Sequence, residues 1–283
     1  MAIRFVVDSG ADIIPSECAE KGIVHLPLGV MFGSEVYEDA VNLSHREFYE
    51  KLVECDTLPT TSQVSPAAFE EAFRSIVEAG DTAVAVTVSS RLSGTYQSAV
   101  IAASEFAPGE VYVVDSLSVS LGQRILVERG MAMAKRGFSP IEAVKAMEEE
   151  KHHIRLMALV DTLEYLKRGG RVSKAVAFAG GVLNIKPVIA LEKGEVVMLG
   201  KARGSRQANN LLRELVKNCG GIDFARPFCL AYSGLSDAML QKYIADSAEL
   251  WQDKTNELPI ATVGCAIGTH AGPGAVAVAF FEN

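Results

Sequence analysis

Long apolar runs, paired cysteines and the common nucleotide signatures are all missing from this chain. Its longest apolar stretch, Ala175 to Leu191, is interrupted by Gly180-Gly181, Asn184, Lys186 and Pro187, which excludes a membrane-spanning helix of about 20 apolar residues. Five cysteines (Cys18, Cys55, Cys219, Cys229, Cys265) are scattered, odd in number and without a Cys-x-x-Cys pair, the pattern of reduced, mostly structural thiols in a cytosolic protein. Positive charge is short: the formal net charge is -8. That argues against nucleic-acid affinity, which is mostly phosphate neutralisation. No Walker pattern is present, and no G-x-G-x-x-G follows the first strand. The chain enters that strand at once and reaches Asp8 within eight residues, which predicts no signal peptide. The expectation is a soluble, cytoplasmic protein.

What is present is apolar material in alternation. Hydrophobic residues make up 49% and charged residues 22% of 283, enough for two domains. The predicted fold class is α/β with two domains. Residues 1–151 form an N-terminal, Rossmann-like parallel-sheet domain, and residues 152–283 a C-terminal α/β domain with a mixed or antiparallel sheet. Strands are predicted at Ile3–Val7, Val24–Val30, Val84–Val88 and Val111–Val114. Asp56–Ser65 reads as a loop, Ala175–Leu183 as helical, and Lys186–Leu191 with Val196–Leu199 as a hairpin. Helices are expected over Lys201–Asn218 and Ser236–Thr255, and a glycine-rich loop over Gly264–Gly274.

The stretch Val84 to Ser98 carries the sharpest local signal. A β-branched run gives way to Ser89-Ser90-Arg91-Leu92-Ser93-Gly94 and then to helix formers. Strand, small-residue turn and helix start are the parts of an anion-binding loop, although Ser93 and Gly94 read equally as a cap and a turn. Two further strands end in Asp8-Ser9 and Asp115-Ser116, and ligands bind at the carboxyl ends of parallel strands. Asp8, Asp12 and Asp115 nonetheless read better as turn and cap residues.

Positive charge is concentrated in one region. Between Asp161 and Asn210 stand nine Lys or Arg against four Asp or Glu, a local +5 that leaves -13 for the remainder. Such a patch in an acidic chain reads as a docking surface for an acidic or phosphate-bearing partner. Of the histidines, the adjacent His152 and His153 make poor metal ligands, His25 and His45 have no partner pattern, and His270 lies in the glycine-rich loop. No metal site is expected. Ser93 is not in a G-x-S-x-G elbow and no third triad member stands out.

These residues fall into motifs that run nearly end to end: Asp8-Ser9-Gly10-Ala11-Asp12, Thr61-Ser62-Gln63-Val64-Ser65-Pro66, Ser90-Arg91-Leu92-Ser93-Gly94-Thr95, Tyr165-Leu166-Lys167-Arg168-Gly169-Gly170-Arg171, Lys201-Ala202-Arg203-Gly204 and His270-Ala271-Gly272-Pro273-Gly274. On them the chain resembles the DegV family, bacterial fatty-acid-binding proteins that present acyl chains to a fatty acid kinase. The resemblance implies a long-chain fatty acid lying between two domains, with no other cofactor and no catalysis by this chain alone. Its carboxylate would be held by Thr61, Ser93, Gly94 and His270, with Ser62 also among the ligand-binding residues. Arg168, Arg171, Lys201 and Arg203 would meet the kinase subunit (DAK2-type), with at most transient membrane contact. Gly10 stands where Ser or Thr is common, and Val64 where Pro is frequent. The rival reading is a serine hydrolase acting on a lipid ester through Ser93 and His270.

Overall fold

Every residue of Thr82–Thr87 (TAVAVT) is buried, as expected of a strand covered on both faces of a parallel sheet. This strand, β6, pairs in parallel with β1 (Ile3–Asp8) and β7 (Val111–Asp115), and β1 pairs in parallel with β2 (Val24–Leu26). The sheet order is β2-β1-β6-β7. The computed structural model describes residues 2–172 and 184–283. The helix expected over Ala175–Leu183, and Lys174 of the basic cluster, lie outside the described residues.

The predicted strand Val24–Val30 is two strands. Pro27 and Leu28 separate β2 from β3 (Gly29–Phe32). A proline lacks the N–H needed to continue a ladder, so the chain leaves the parallel sheet and starts a small antiparallel one. There β3 lies between β4 (Glu35–Glu38) and β5 (Thr60–Ser62), in the order β4-β3-β5. The predicted loop Asp56–Ser65 thus contains a strand, with Thr61 opposite Val30.

The second sheet comes from the second half of the chain. Its order is β10-β9-β8-β13-β11-β12, built from β8 (Ile154–Leu159), β9 (Ile185–Glu192), β10 (Glu195–Arg203), β11 (Cys229–Tyr232), β12 (Ile260–Thr262) and β13 (Val276–Phe281). All pairs are antiparallel except β11 with β12, so the sheet is mixed. Lys201 and Arg203 belong to β10, because the helix predicted from Lys201 starts only at Ser205, after Gly204 at φ +77°. The helix predicted over Ser236–Thr255 ends at Asp246.

Helix α5 (Ser120–Lys135) lies between the two sheets. It packs on β1 and β6 on one side and on β8, β11 and β13 on the other. Leu121, Ile125, Leu126 and Val127 are fully buried in one apolar core that also holds Phe5, Val84, Leu156 and Phe281. Each such side chain contributes about 1.5–3 kcal/mol by leaving water. Gly130 is required at the closest approach, since a Cβ there would lie 2.8 Å from Phe5 Cε1 and 2.7 Å from Met147 Sδ.

The aspartates at the strand ends are structural acceptors. Asp8 accepts from Val88 N (2.8 Å), Gly10 N (3.0 Å) and Gln123 Nε2 (3.2 Å). Asp12, in the left-handed region at φ +53°, accepts from Gly264 N at 2.8 Å and from the Ser120 hydroxyl. Burial pushes Asp8 up to about 6 and Asp12 up to about 7, more than their hydrogen bonds lower them. A carboxyl whose folded pKa is raised adds stability below its unfolded pKa and loses it as pH rises through the folded value. In chemical-denaturation curves, Asp12→Asn, which keeps a neutral acceptor at the same site, is expected to gain on the unaltered protein between pH 4 and 8. The gain should be on the order of 1 kcal/mol or more; an unchanged difference across that range would refute the raised pKa.

Candidate functional site

A cavity of about 380 Å³ opens where the carboxyl ends of the parallel strands meet the small sheet and the face of the mixed sheet. Its volume is in the range of small-molecule sites. Apolar side chains cover most of it, among them Val88, Leu156, Val160, Ile189, Val196 and Val263. Polar groups enter as Thr61, Ser62, Gln63, Ser93, Gly94, Arg171 and His270, with the buried Ser120 among apolar neighbours.

His270 is carried by a helix, not the predicted loop. α10 (Cys265–Ala271) spans most of the glycine-rich segment. The sequence gives it no capping residue of its own, since Gly264 occupies the N-cap. Distant carboxylates do that work. Asp12 accepts from Gly264 N, and Asp39 accepts from Cys265 N (2.9 Å) and Ala266 N (3.1 Å). Tyr49 donates to the Val263 carbonyl at 3.0 Å. Helix N-termini leave N–H groups without intrahelical partners and favour negative charge, so these groups from the first half of the chain fix a helix of the second.

Two glycines set the other end. A Cβ on Gly169, which follows α7 (Glu164–Arg168), would lie 2.1 Å from His270 Nδ1. One on Gly272, at φ +72°, would lie 2.3 Å from Tyr165 Cδ2. Their absence lets α7 and α10 pack directly together. His270 Nε2 then lies 2.9 Å from Thr61 Oγ1, while Nδ1 is buried with no hydrogen-bond partner among the described residues. Burial, and secondarily the nearby Arg171 charge, pushes His270 down to about 4. The imidazole is therefore neutral at pH 7. With its proton on Nε2 it donates to Thr61, which frees the threonine hydroxyl to donate into the cavity.

Ser93 and Gly94 form the turn before α4 (Thr95–Ala103), with Gly94 as N-cap. Ser93 Oγ lies 2.9 Å from Thr95 Oγ1 and accepts from Thr95 N at 3.3 Å. Gly94 admits Gln63, whose Oε1 would be 2.0 Å from a Cβ at that position; Gln63 Nε2 donates to Ser98 Oγ at 2.8 Å. Ser62 is exposed at the rim, its hydroxyl against Gly29.

Arg171 departs most from the sequence reading. It lines the cavity, half-buried, with Nε donating to the Leu92 carbonyl (3.1 Å) and Nη1 to the Gly169 carbonyl (2.7 Å). Among the described residues lining the cavity, it is the sole Lys or Arg. Arg168, by contrast, is exposed and paired with Glu164 at 2.8 Å, and Lys201 and Arg203 are exposed on β10. Gln63 sits within the Thr61–Pro66 motif and reaches the cavity beside Gly94, while nothing in the local sequence marks Ser120 for it.

Fold and cavity together define a three-sheet α/β protein with a largely apolar cavity bordered by hydroxyl, imidazole and guanidinium groups. The chain belongs to the DegV family: the pattern described as "Uncharacterised protein, DegV family" matches residues 2–283. It is 37% identical over 282 residues to a DegV domain-containing protein of Caldanaerobacter subterraneus subsp. tengcongensis, covering 99% of each chain. A DegV family protein from Thermus thermophilus, whose structure is described for its fatty acid binding, superposes with a TM-score of 0.89 at 32% identity over 100% of both chains. A stearic-acid-binding protein from Eubacterium ventriosum superposes with a TM-score of 0.88 at 25% identity, over 100% of this chain and 98% of that one.

Two expectations follow for the site. A ¹⁵N-imidazole NMR titration should find His270 neutral down to about pH 5, given its value of about 4. In Arg171→Gln the His270 pKa should rise, because a repelling charge is removed, yet stay below 6.5, because burial is the larger cause. A His270 resonance that titrates near 6.5 in the unaltered protein would contradict the geometry.

Proposed function

We propose that this protein binds a long-chain fatty acid in the cavity and presents its carboxylate to a separate fatty acid kinase subunit. The observation that carries the reading is the composition of the cavity wall: apolar over most of its area, with Arg171, the Thr61 and Ser93 hydroxyls and the neutral His270 imidazole at its polar border among the described residues. An ionised carboxylate taken from water needs charge and donors together. Arg171 supplies the charge. Thr61, Ser93 and the Gly94 N–H supply the donors, and His270 orients Thr61. Fatty acid binding by the Thermus and Eubacterium relatives supports the assignment.

In this reading residues 1–151 supply the carboxylate loops, and residues 152–283 supply His270, Arg171 and the tail-lining sheet. Arg168, Lys201 and Arg203 face the kinase, with Arg171 between the two roles. The chain positions the acceptor oxygen and shields the tail, while the partner provides nucleotide and metal for phosphoryl transfer. A serine hydrolase fits the side chains less well. His270 Nε2 engages Thr61 rather than Ser93, and no carboxylate orients its Nδ1.

Equilibrium binding with a series of fatty acids tests the proposal. Affinity should rise by about 0.8 kcal/mol, roughly fourfold, per buried methylene until the cavity is full. Thr61→Val and Arg171→Gln should each weaken binding by about 10- to 100-fold, the worth of a charge-assisted hydrogen bond, and should leave the methyl ester much less affected. Equal affinity of acid and ester for the unaltered protein would contradict the carboxylate site. Charge reversal at Lys201 and Arg203 should abolish acyl phosphate formation with the kinase and leave fatty acid binding intact.

A further inference from the structure

Outside the cavity, the fold gathers three metal-ligating side chains that are distant in the sequence. Asp39 follows β4, His45 opens α2 (His45–Glu54), and Cys265 opens α10; their ligand atoms all lie within 4.8 Å of one another. We propose that Asp39, His45 and Cys265 form a binding site for a zinc-type divalent cation.

Three observations carry this. The first is spacing. His45 Nε2 stands 3.9 Å from Asp39 Oδ1, too long for a hydrogen bond. Two ligands of one tetrahedral zinc, at bonds of about 2.0–2.2 Å, sit about 3.4 Å apart. A shift of about half an ångström therefore converts this gap into shared coordination.

The second is the unused capacity of Asp39. A carboxylate has about four acceptor sites, and Asp39 engages three donors: Ser9 Oγ at 2.9 Å, Cys265 N and Ala266 N. Asp39 is fully buried, and among the described residues no Lys or Arg forms an ion pair with it or with its neighbour Asp12. Buried charges are normally paired with a cation or coordinate a metal.

The third is an orphaned nitrogen. Among the described residues His25 Nε2 is buried without a hydrogen-bond partner, near enough for Asp39 and His45 to act on its charge. His25 falls outside the 4.8 Å group, so it would have to move to take the fourth position.

Binding would break the Cys265 S–H bond, with its proton leaving to solvent, and form a sulfur–metal bond. The thiol now donates to the Leu43 carbonyl at 3.5 Å and also faces the Asp39 carboxylate. One carboxylate and one thiolate balance a dication. The partly exposed His45 side chain offers the route in. Such an ion would clamp the start of α2 to the start of α10, and so secure the helix that carries His270. Donors of sulfur, nitrogen and oxygen type favour zinc over magnesium or calcium.

Cobalt(II) titration of the chelator-treated full chain tests the site. A thiolate-to-cobalt charge-transfer band saturating at one ion per chain, displaced by zinc, is expected. Cys265→Ser should abolish the band, and His45→Gln should weaken binding by about tenfold or more, as loss of a ligand does, with circular dichroism confirming that both variants are folded. Absence of a stoichiometric band would overturn the proposal. So would an undiminished band in either variant, which would assign the metal to another thiol.

Discussion

The capping of α10 by Asp12 and Asp39 is the interaction on which the site depends. These two carboxylates arise in the first half of the chain and hold the N-terminus of a helix from the second half. The helix has only seven residues, too few to be stable alone in water. Its position is therefore set by what binds its ends. Asp12 and Asp39 fix one end, and the glycine-mediated packing of α7 fixes the other. His270 is placed beside Thr61 as a result, with each half of the molecule contributing one member of the pair.

The same interaction explains why the aspartates are buried at a cost. Desolvation raises Asp8 and Asp12 toward neutrality, and hydrogen bonds from the chain's own N–H groups offset part of that. The carboxylates thus serve the frame that shapes the cavity, and the cavity's own polar border is left to hydroxyls, an imidazole and a guanidinium. Among the described residues, one cation amid neutral donors suits an anion of single charge better than a phosphate, which calls for more positive charge.

Much of this was legible in the sequence, and the gaps have physical reasons. The β-branched runs ending in Asp-Ser and Ser-Ser gave the parallel strands and the crevice at their ends, because burial on both faces leaves a continuous apolar signature. Thr61, Ser93, Gly94 and His270 do converge on one cavity. The split at Pro27 was visible as a proline but overridden by its apolar flanks. α10 was hidden, since Gly264-Cys265 shows no cap and the groups that cap it stand over 200 residues away. Arg171 read as surface charge because spacing cannot tell an exposed guanidinium from one turned inward onto the Leu92 carbonyl. The gathering of Asp39, His45 and Cys265 is likewise a property of the tertiary fold alone.

The central claim is that the cavity holds a fatty acid by its carboxylate. Denaturing solvent extraction of the purified protein, with mass spectrometry of the extract, tests it most directly. The account predicts about one long-chain fatty acid per chain, or uptake to that level when fatty acid is added. An extract free of fatty acid, from a protein that also fails to take up any added acid, would contradict it.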